Sequence, residues 1–344
     1  MATITELKEL ALHAARGTAP TNFTSENVNE ALIGEMSGWC SSVAEFNRHK
    51  YDLFEIITET ADEVVPAKVL AAIGQFAEVR NVPQGQKVVF KKRIGRERAK
   101  SFITRVGLAG VYEAFRLDNS EYTVETFAIG GAGMVDFERF LDGAESMVEV
   151  MDVIAEGLEE AVYKEIVKAL QAAETKLGAA NMYVSNAYDA NKLAKLISNV
   201  KAYGQGAVLF ACPQFIDAMG PDAIVPAISG VAQPIVSRDD IDAIHNAGRI
   251  KIFRGTPVVE IPQSFEDETN QKYVFNPAIA YVLPTSGEKP VKVVFEGNTQ
   301  MLDRQNEDWS FEFRCYKKMG VAIHTYNNWG IYHNTSLDNA TPVI

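Results

Sequence analysis

The fold of this chain is decided by a long amphipathic stretch, residues 136–176, which reads DFERFLDGAESMVEVMDVIAEGLEEAVYKEIVKALQAAETK. From Phe137 to Ala173 its apolar residues recur at intervals of three and four, which places them on one face of an α-helix. At about 1.5 Å per residue, roughly forty residues form a rod on the order of 60 Å long. The sequence therefore predicts a helix from Asp136 to Lys176, which we call the spine helix.

Two oppositely charged segments lie next to each other in the sequence. The outer face of the predicted spine helix is acidic, and residues 87–105 upstream of it are basic, although the whole chain has a formal net charge of -12. The basic residues are Lys87, Lys91, Lys92, Arg93, Arg96, Arg98, Lys100 and Arg105, with only Glu97 against them. Opposed surfaces of this kind favour self-assembly.

The basic segment has two interpretations, a nucleic-acid patch or an arm that lies across the acidic surface of a neighbouring subunit. Aromatic residues that could stack on bases are sparse there, Phe90 and Phe102. The acidic net charge opposes broad contact with phosphates. The acidic helix in the same chain favours the second interpretation.

Composition excludes several classes of protein. With 344 residues and 47% hydrophobic content, the chain can bury a sizeable core. Cys40, Cys212 and Cys315 are isolated, so neither a disulfide framework nor a zinc site is predicted. No run of about 18 apolar residues occurs, and we therefore expect no membrane span.

No recognisable catalytic or cofactor motif occurs either. The run Gly130-Gly131-Ala132-Gly133 lacks the third glycine of a dinucleotide-binding loop, where Asp136 stands, and we interpret it as a hinge before the spine helix. The five histidines are dispersed, without metal-ligand spacing. We predict no catalytic residues, no cofactor and no metal.

The flanking segments supply the other elements. Before residue 82 we expect amphipathic helices, the third of them interrupted at Pro66. Residues 82–133 are punctuated by glycines and predict an extended hairpin or loop. Strands and helices alternate after Gly178, and period-two strands between Val291 and Ile323 close the chain. We expect their apolar face to pack on the spine helix.

This order of parts resembles the major capsid protein of tailed bacteriophages, with the Hong Kong-type capsid fold. The likeness lies in three stretches: VVPAKVLAAIGQFAEVRNVPQGQKVVFKKRIGRERAKSFITRVGLAGVYEAFRLD (64–118), GGAGMVDFERFLDGAESMVEVMDVIAEGLEEAVY (130–163) and FEFRCYKKMGVAIHTYNNWGIYHN (311–334). The resemblance implies an α+β fold with an N-terminal arm, an extended β-hairpin loop, a peripheral domain with the spine helix, and an axial α/β domain. The implied boundaries are 1–81 for the arm, 82–133 for the extension loop, 134–180 for the spine helix, 181–288 for the axial domain and 289–344 for the peripheral strands.

The resemblance also implies a function. We expect a virion protein, assembled in the host cytoplasm, whose hexamers and pentamers form an icosahedral shell around double-stranded DNA without reading its sequence. Expected partners are a separate scaffolding protein, a portal and decoration proteins. Across the subunit interface we expect contacts between two sets, Lys91, Lys92, Arg93, Arg96 and Arg98 against Glu145, Glu149, Asp152 and Glu156. The alternatives are an encapsulin-like nanocompartment around an enzyme cargo and a soluble α/β enzyme.

Overall fold

The architecture combines helices with two main sheets. The computed structural model describes residues 4–16, 18, 25–39, 41–74, 76–93, 119–135, 147–204, 206–219, 252–261, 263, 265, 273–286, 288–305, 311–324 and 326–340. The described α-helices are α1 (Ile4–Arg16), α2 (Ser25–Trp39), α3 (Val43–Ile73), α4 (Met147–Glu174), α5 (Ala190–Gly204) and α6 (Pro213–Ala218). Short 3-10 helices cover Ala179–Asn181 and Thr335–Ala340.

The strands form a four-stranded sheet in the order β1-β10-β11-β4, a six-stranded sheet in the order β5-β12-β9-β6-β8-β7, and the two-stranded hairpin β2-β3. Their bounds are β1 Ala77–Val82, β2 Val89–Arg93, β3 Asn119–Thr123, β4 Phe127–Val135, β5 Met182–Ser185, β6 Ala207–Ala211, β7 Ile252–Phe253, β8 Thr256–Glu260, β9 Ile279–Pro284, β10 Val291–Gln305, β11 Phe311–Ile323 and β12 Gly330–Asn334. The mixture of helices and sheets agrees with the expected α+β class.

Helix α4 is the described part of the predicted spine helix, and it packs against both main sheets. Its residues Val162, Ile166 and Leu170 are buried in one apolar cluster with Val293 of β10 and Phe210 of β6. The predicted packing of the closing strands on the spine helix is therefore confirmed. The helix ends at Glu174, two residues before Lys176, and residues 136–146 lie outside the described part of the chain.

The N-terminal helices pack on the body of the fold. Helix α1 is amphipathic because Leu7 and Ala11, four residues apart, share its buried face. Its polar side forms ion pairs with α3, from Lys8 to Glu55 at 2.8 Å and from Arg16 to Glu63 at 2.6 Å. These helices and Phe313 of β11 form a second apolar cluster. The first helices are thus attached to the four-stranded sheet.

The predicted interruption at Pro66 is wrong, because α3 runs through this residue from Val43 to Ile73. A proline inside a helix costs about 3 kcal/mol through its missing hydrogen bond and its ring clash. Val69 and Ile73, after the proline, are both fully buried in the main core. Burial of two such side chains contributes roughly 3–6 kcal/mol, which offsets the cost.

The hinge interpretation of the Gly130-Gly131-Ala132-Gly133 run is also wrong. These residues lie inside β4, which pairs with β11 over the register from Phe311↔Val135 to Met319↔Phe127. At Gly130 a Cβ would lie 2.1 Å from the carbonyl oxygen of Cys315, whereas at Gly131 it would meet nothing within 4 Å. Gly130 is therefore required by close approach of the neighbouring strand.

Two neighbouring substitutions test this requirement. Gly130→Ala is expected to lower the free energy of unfolding by about 1–3 kcal/mol, because backbone atoms of β11 must move to admit the methyl group. Gly131→Ala is the matched control, and we expect it to be neutral or to stabilise by up to about 1 kcal/mol. Urea unfolding of both variants measures the difference. Equal stabilities for the two variants would contradict the assignment.

Candidate assembly interface

The hairpin β2-β3 carries the beginning of the basic segment. Its strands are antiparallel, with Phe90 opposite Tyr122 and Lys91 opposite Glu121. Side chains alternate between the two faces of a strand, so Phe90 and Lys91 point in opposite directions. Phe90 is buried, whereas Lys91 is exposed and forms an ion pair with Glu121 at 3.6 Å.

Phe90 anchors the hairpin on the four-stranded sheet. Its ring stacks on Tyr122, with centroids 5.7 Å apart, and two cations lie over it, Arg80 at 4.5 Å and Lys292 at 5.5 Å. Such cation–aromatic contacts are stronger when they are shielded from water. These contacts of Phe90 hold the base of the β2-β3 hairpin, which we call the hairpin root, against the sheet.

Glu78 pairs with both of these cations. It accepts hydrogen bonds from Lys292 Nζ at 2.6 Å and from Arg80 Nε at 2.9 Å. Partial burial alone would raise the pKa of Glu78, but the hydrogen bonds from Lys292 and Arg80 outweigh it and hold this pKa below its ordinary value. The carboxylate therefore stays ionised and keeps the buried Lys292 paired at neutral pH.

The predicted basic residues are only partly described. The structure places Lys91 on the exposed face of β2. Lys92 and Arg93 are described in their backbone, opposite Ser120 and Asn119. Arg96 and Arg98 lie outside the described residues.

Three of the four predicted acidic residues of the spine helix form one exposed row. Glu149, Asp152 and Glu156 follow one another at helical spacing on α4, and all three are exposed. The pKa of Asp152 is raised, first by partial desolvation and then by the negative charge of Glu156. Mutual repulsion of this kind is relieved when a cation binds the row. Glu145 lies outside the described residues.

Sequence reasoning missed the residues that hold the hairpin root. Lys292 alternates with apolar neighbours in a period-two strand, which is typical of a solvated position, yet it is 5% exposed. Its partner Glu78 lies 214 positions away in the sequence. The available signal was a charged residue flanked on both sides by valines, but its partner could not be located from the local pattern.

The described residues offer neither a metal site nor a membrane-spanning helix. None of them form a group of three or more His, Cys, Asp and Glu side chains that could hold a metal ion. Among the helices of the same residues, none is long and apolar enough to cross a membrane.

Comparison with known families identifies the chain. A family model described as "SPbeta prophage-derived putative capsid protein YonB" matches residues 5–332. The chain belongs to the YonB family. It is a phage capsid protein, a component of the virion shell, and the function expected from the resemblance is confirmed at this level. No curated protein matches the YonB-family chain significantly in sequence.

Solved structures place the YonB-family chain in the Hong Kong-type capsid fold, as expected. It is similar to a chain of the satellite phage P4 procapsid, with a TM-score of 0.52 and 11% identity over 84% of this chain and 97% of that one. It is also similar to a chain of Microbacterium phage Oxtober96, with a TM-score of 0.51 and 10% identity over 76% of this chain and 90% of that one. At such low identity, these likenesses establish the fold alone.

Proposed function

We propose that this capsid protein forms hexamers and pentamers that close an icosahedral shell around double-stranded DNA. The observation that carries the proposal is the opposite charge of two segments of one subunit, the basic residues 87–105 and the exposed acidic row of the spine helix. A surface that attracts a different surface of an identical copy makes a head-to-tail contact. Contacts of this kind generate rings when the rotation that relates neighbouring subunits closes on itself.

In the proposed contact, the basic segment of one subunit lies on the spine helix of the next. The cations are Lys91, Lys92, Arg93, Arg96 and Arg98, and the carboxylates are Glu145, Glu149, Asp152 and Glu156. Each exposed ion pair contributes only about 0–1 kcal/mol. The same contact recurs at every subunit boundary, so the small contributions of the single ion pairs add up over the shell. Once subunits belong to one ring, each further contact forms within that assembly and not between separate molecules.

The proposed domain organisation is the one that the resemblance to tailed-phage capsid proteins implies. Residues 1–81 form the N-terminal arm, 82–133 the extension loop, 134–180 the part of the peripheral domain that carries the spine helix, 181–288 the axial domain and 289–344 the peripheral strands. The role proposed is structural and not enzymatic. Assembly takes place in the host cytoplasm with a separate scaffolding protein, a portal and decoration proteins, and the shell holds DNA without sequence-specific contacts.

Charge reversal tests the proposed contact. The variant Arg93→Glu/Arg96→Glu is expected to fold but to form no closed shells, since like charges then face each other across every boundary. Negative-stain microscopy and size-exclusion chromatography measure assembly, and circular dichroism measures folding. The control Lys192→Glu/Lys195→Glu makes the same change of charge on two exposed lysines of α5, outside both charged segments, and is expected to assemble.

A second, compensating reversal makes this test specific. Adding Asp152→Lys/Glu156→Lys to the first variant is expected to restore shells, because attraction is re-established with the signs exchanged. Normal shells from Arg93→Glu/Arg96→Glu alone would refute the contact. Shells too small for a genome, with enzyme cargo inside, would support the nanocompartment alternative.

A further inference from the structure

One carboxylate, Glu296, touches both ends of the segment that contains the hairpin. The chain leaves the four-stranded sheet after β1 and returns to it at β4. Glu296 Oε1 accepts a hydrogen bond from the backbone N–H of Gly85, just after β1, at 2.9 Å. Its other oxygen accepts from the hydroxyl of Thr126, just before β4. A single side chain thus bridges the exit and the return of the chain.

The surroundings of Glu296 strengthen this bridge. Its side chain is only 9% exposed, and Lys318 Nζ lies 3.8 Å from Oε1. Hydrogen bonds to an ionised carboxylate are about twice as strong as those between neutral groups. The bonds from Thr126 and Gly85 lower the pKa of Glu296, which keeps it ionised. The bridge is therefore charged and shielded from water.

The backbone around Glu296 is shaped to bring these groups together. The pairing of β10 with β11 shifts register between Glu296 and Gln300, which marks a bulge. Gly297 has a φ of 67°, and Gly85 has a φ of 83°. A Cβ on Gly297 would lie 3.1 Å from Cβ of Gln84, so the turn after β1 packs directly on the bulge. Both glycines permit backbone conformations that other residues rarely adopt.

We infer that Glu296 is a positioning residue, a clasp that sets the direction in which the β2-β3 hairpin leaves the body of the subunit. The apolar anchor at Phe90 holds the hairpin root against the sheet, and the clasp holds the two chain segments that lead into and out of it. Opening the clasp leaves the body folded and frees the hairpin to turn about the anchor. On the basis of the function proposed above, the partner that this orientation serves is the spine helix of a second copy of the chain.

Two threonines three residues apart provide the test. Thr126→Val removes one bond of the clasp with little change of shape, and Thr123→Val makes the same substitution at an exposed position of β3. In the unassembled full-length chain, Thr126→Val is expected to speed amide hydrogen exchange in residues 83–93 and 119–126 by about tenfold, with exchange in α4 and β9 unchanged. Thr123→Val is expected to leave exchange as in the parent.

The outcomes separate the clasp from the proposed shell function. Unchanged exchange in Thr126→Val, or faster exchange throughout the chain, overturns the clasp whether or not shells form. Glu296→Ala is expected to exceed the effect of Thr126→Val, and Glu296→Gln, which retains an acceptor for Gly85, to fall between parent and Ala. In assembly, Thr126→Val is expected to broaden the distribution of particle sizes. If Thr126→Val loosens the hairpin but its particles keep the uniform size of the parental ones, the proposed role of the clasp in orienting the hairpin is wrong.

Discussion

Replacing Asp62 with alanine is expected to lower the free energy of unfolding by about 3–5 kcal/mol, because it leaves a buried ammonium group without its counter-charge. Asp62 of α3 pairs with Lys317 of β11, whose side chain is 3% exposed against 21% for Asp62. The same carboxylate accepts hydrogen bonds from the backbone N–H of Thr299 at 2.9 Å and from its hydroxyl at 2.6 Å. The loss therefore combines an unpaired charge with two orphaned donors. Urea unfolding of the full-length chain measures it.

Two further variants separate these contributions. Asp62→Asn retains an oxygen for Thr299 and is expected to cost less than Asp62→Ala. Adding Lys317→Met to Asp62→Asn removes the unpaired charge. The double variant is expected to recover at least half of the stability that Asp62→Asn loses. The control Lys168→Ala removes an exposed ion pair with Glu165 and is expected to change stability by about 0–1 kcal/mol. Asp62→Ala with the stability of this control would show that Lys317 finds another partner.

The second large effect is expected at Phe313, where truncation to alanine should cost about 3–5 kcal/mol. This side chain of β11 is 4% exposed and belongs to the cluster formed by the N-terminal helices. Its ring meets Phe46 edge-on at 6.3 Å and Phe54 edge-on at 5.9 Å between centroids. Alanine leaves a cavity between α3 and the four-stranded sheet. We therefore expect lower stability and faster hydrogen exchange in α1, α2 and α3.

Leu302→Ala is the matched control for Phe313→Ala. Leu302 lies in the adjacent strand β10 but is 62% exposed, and its truncation should stay within about 0.5 kcal/mol of the parent. Chemical unfolding compares the two variants, and exchange measured by mass spectrometry locates the change. If amide hydrogen exchange in α1–α3 of Phe313→Ala is as slow as in the parent, these helices are held independently of the sheet.

The charged sets of the candidate interface could be predicted because each is a local pattern. The acidic residues repeat at helical spacing on α4, and the basic residues follow one another within residues 87–105. That they meet across a subunit boundary stays a prediction. The residues that hold the hairpin, Glu78 and Glu296, could not be predicted, because each joins segments that are far apart in the sequence. Glu78 is 214 positions from Lys292. Glu296 is 170 positions from Thr126 and 211 from Gly85.

The sequence by itself determined the spine helix, the period-two closing strands and the order of parts that marks the capsid fold. These features depend on spacing between near neighbours, which a linear pattern records directly. Only the tertiary structure decided that α3 continues through Pro66, that the glycine run is a strand, and that Lys292 and Lys317 are buried. Each of these outcomes depends on contacts between distant segments, whose burial and pairing outweigh the local preference of the residues involved.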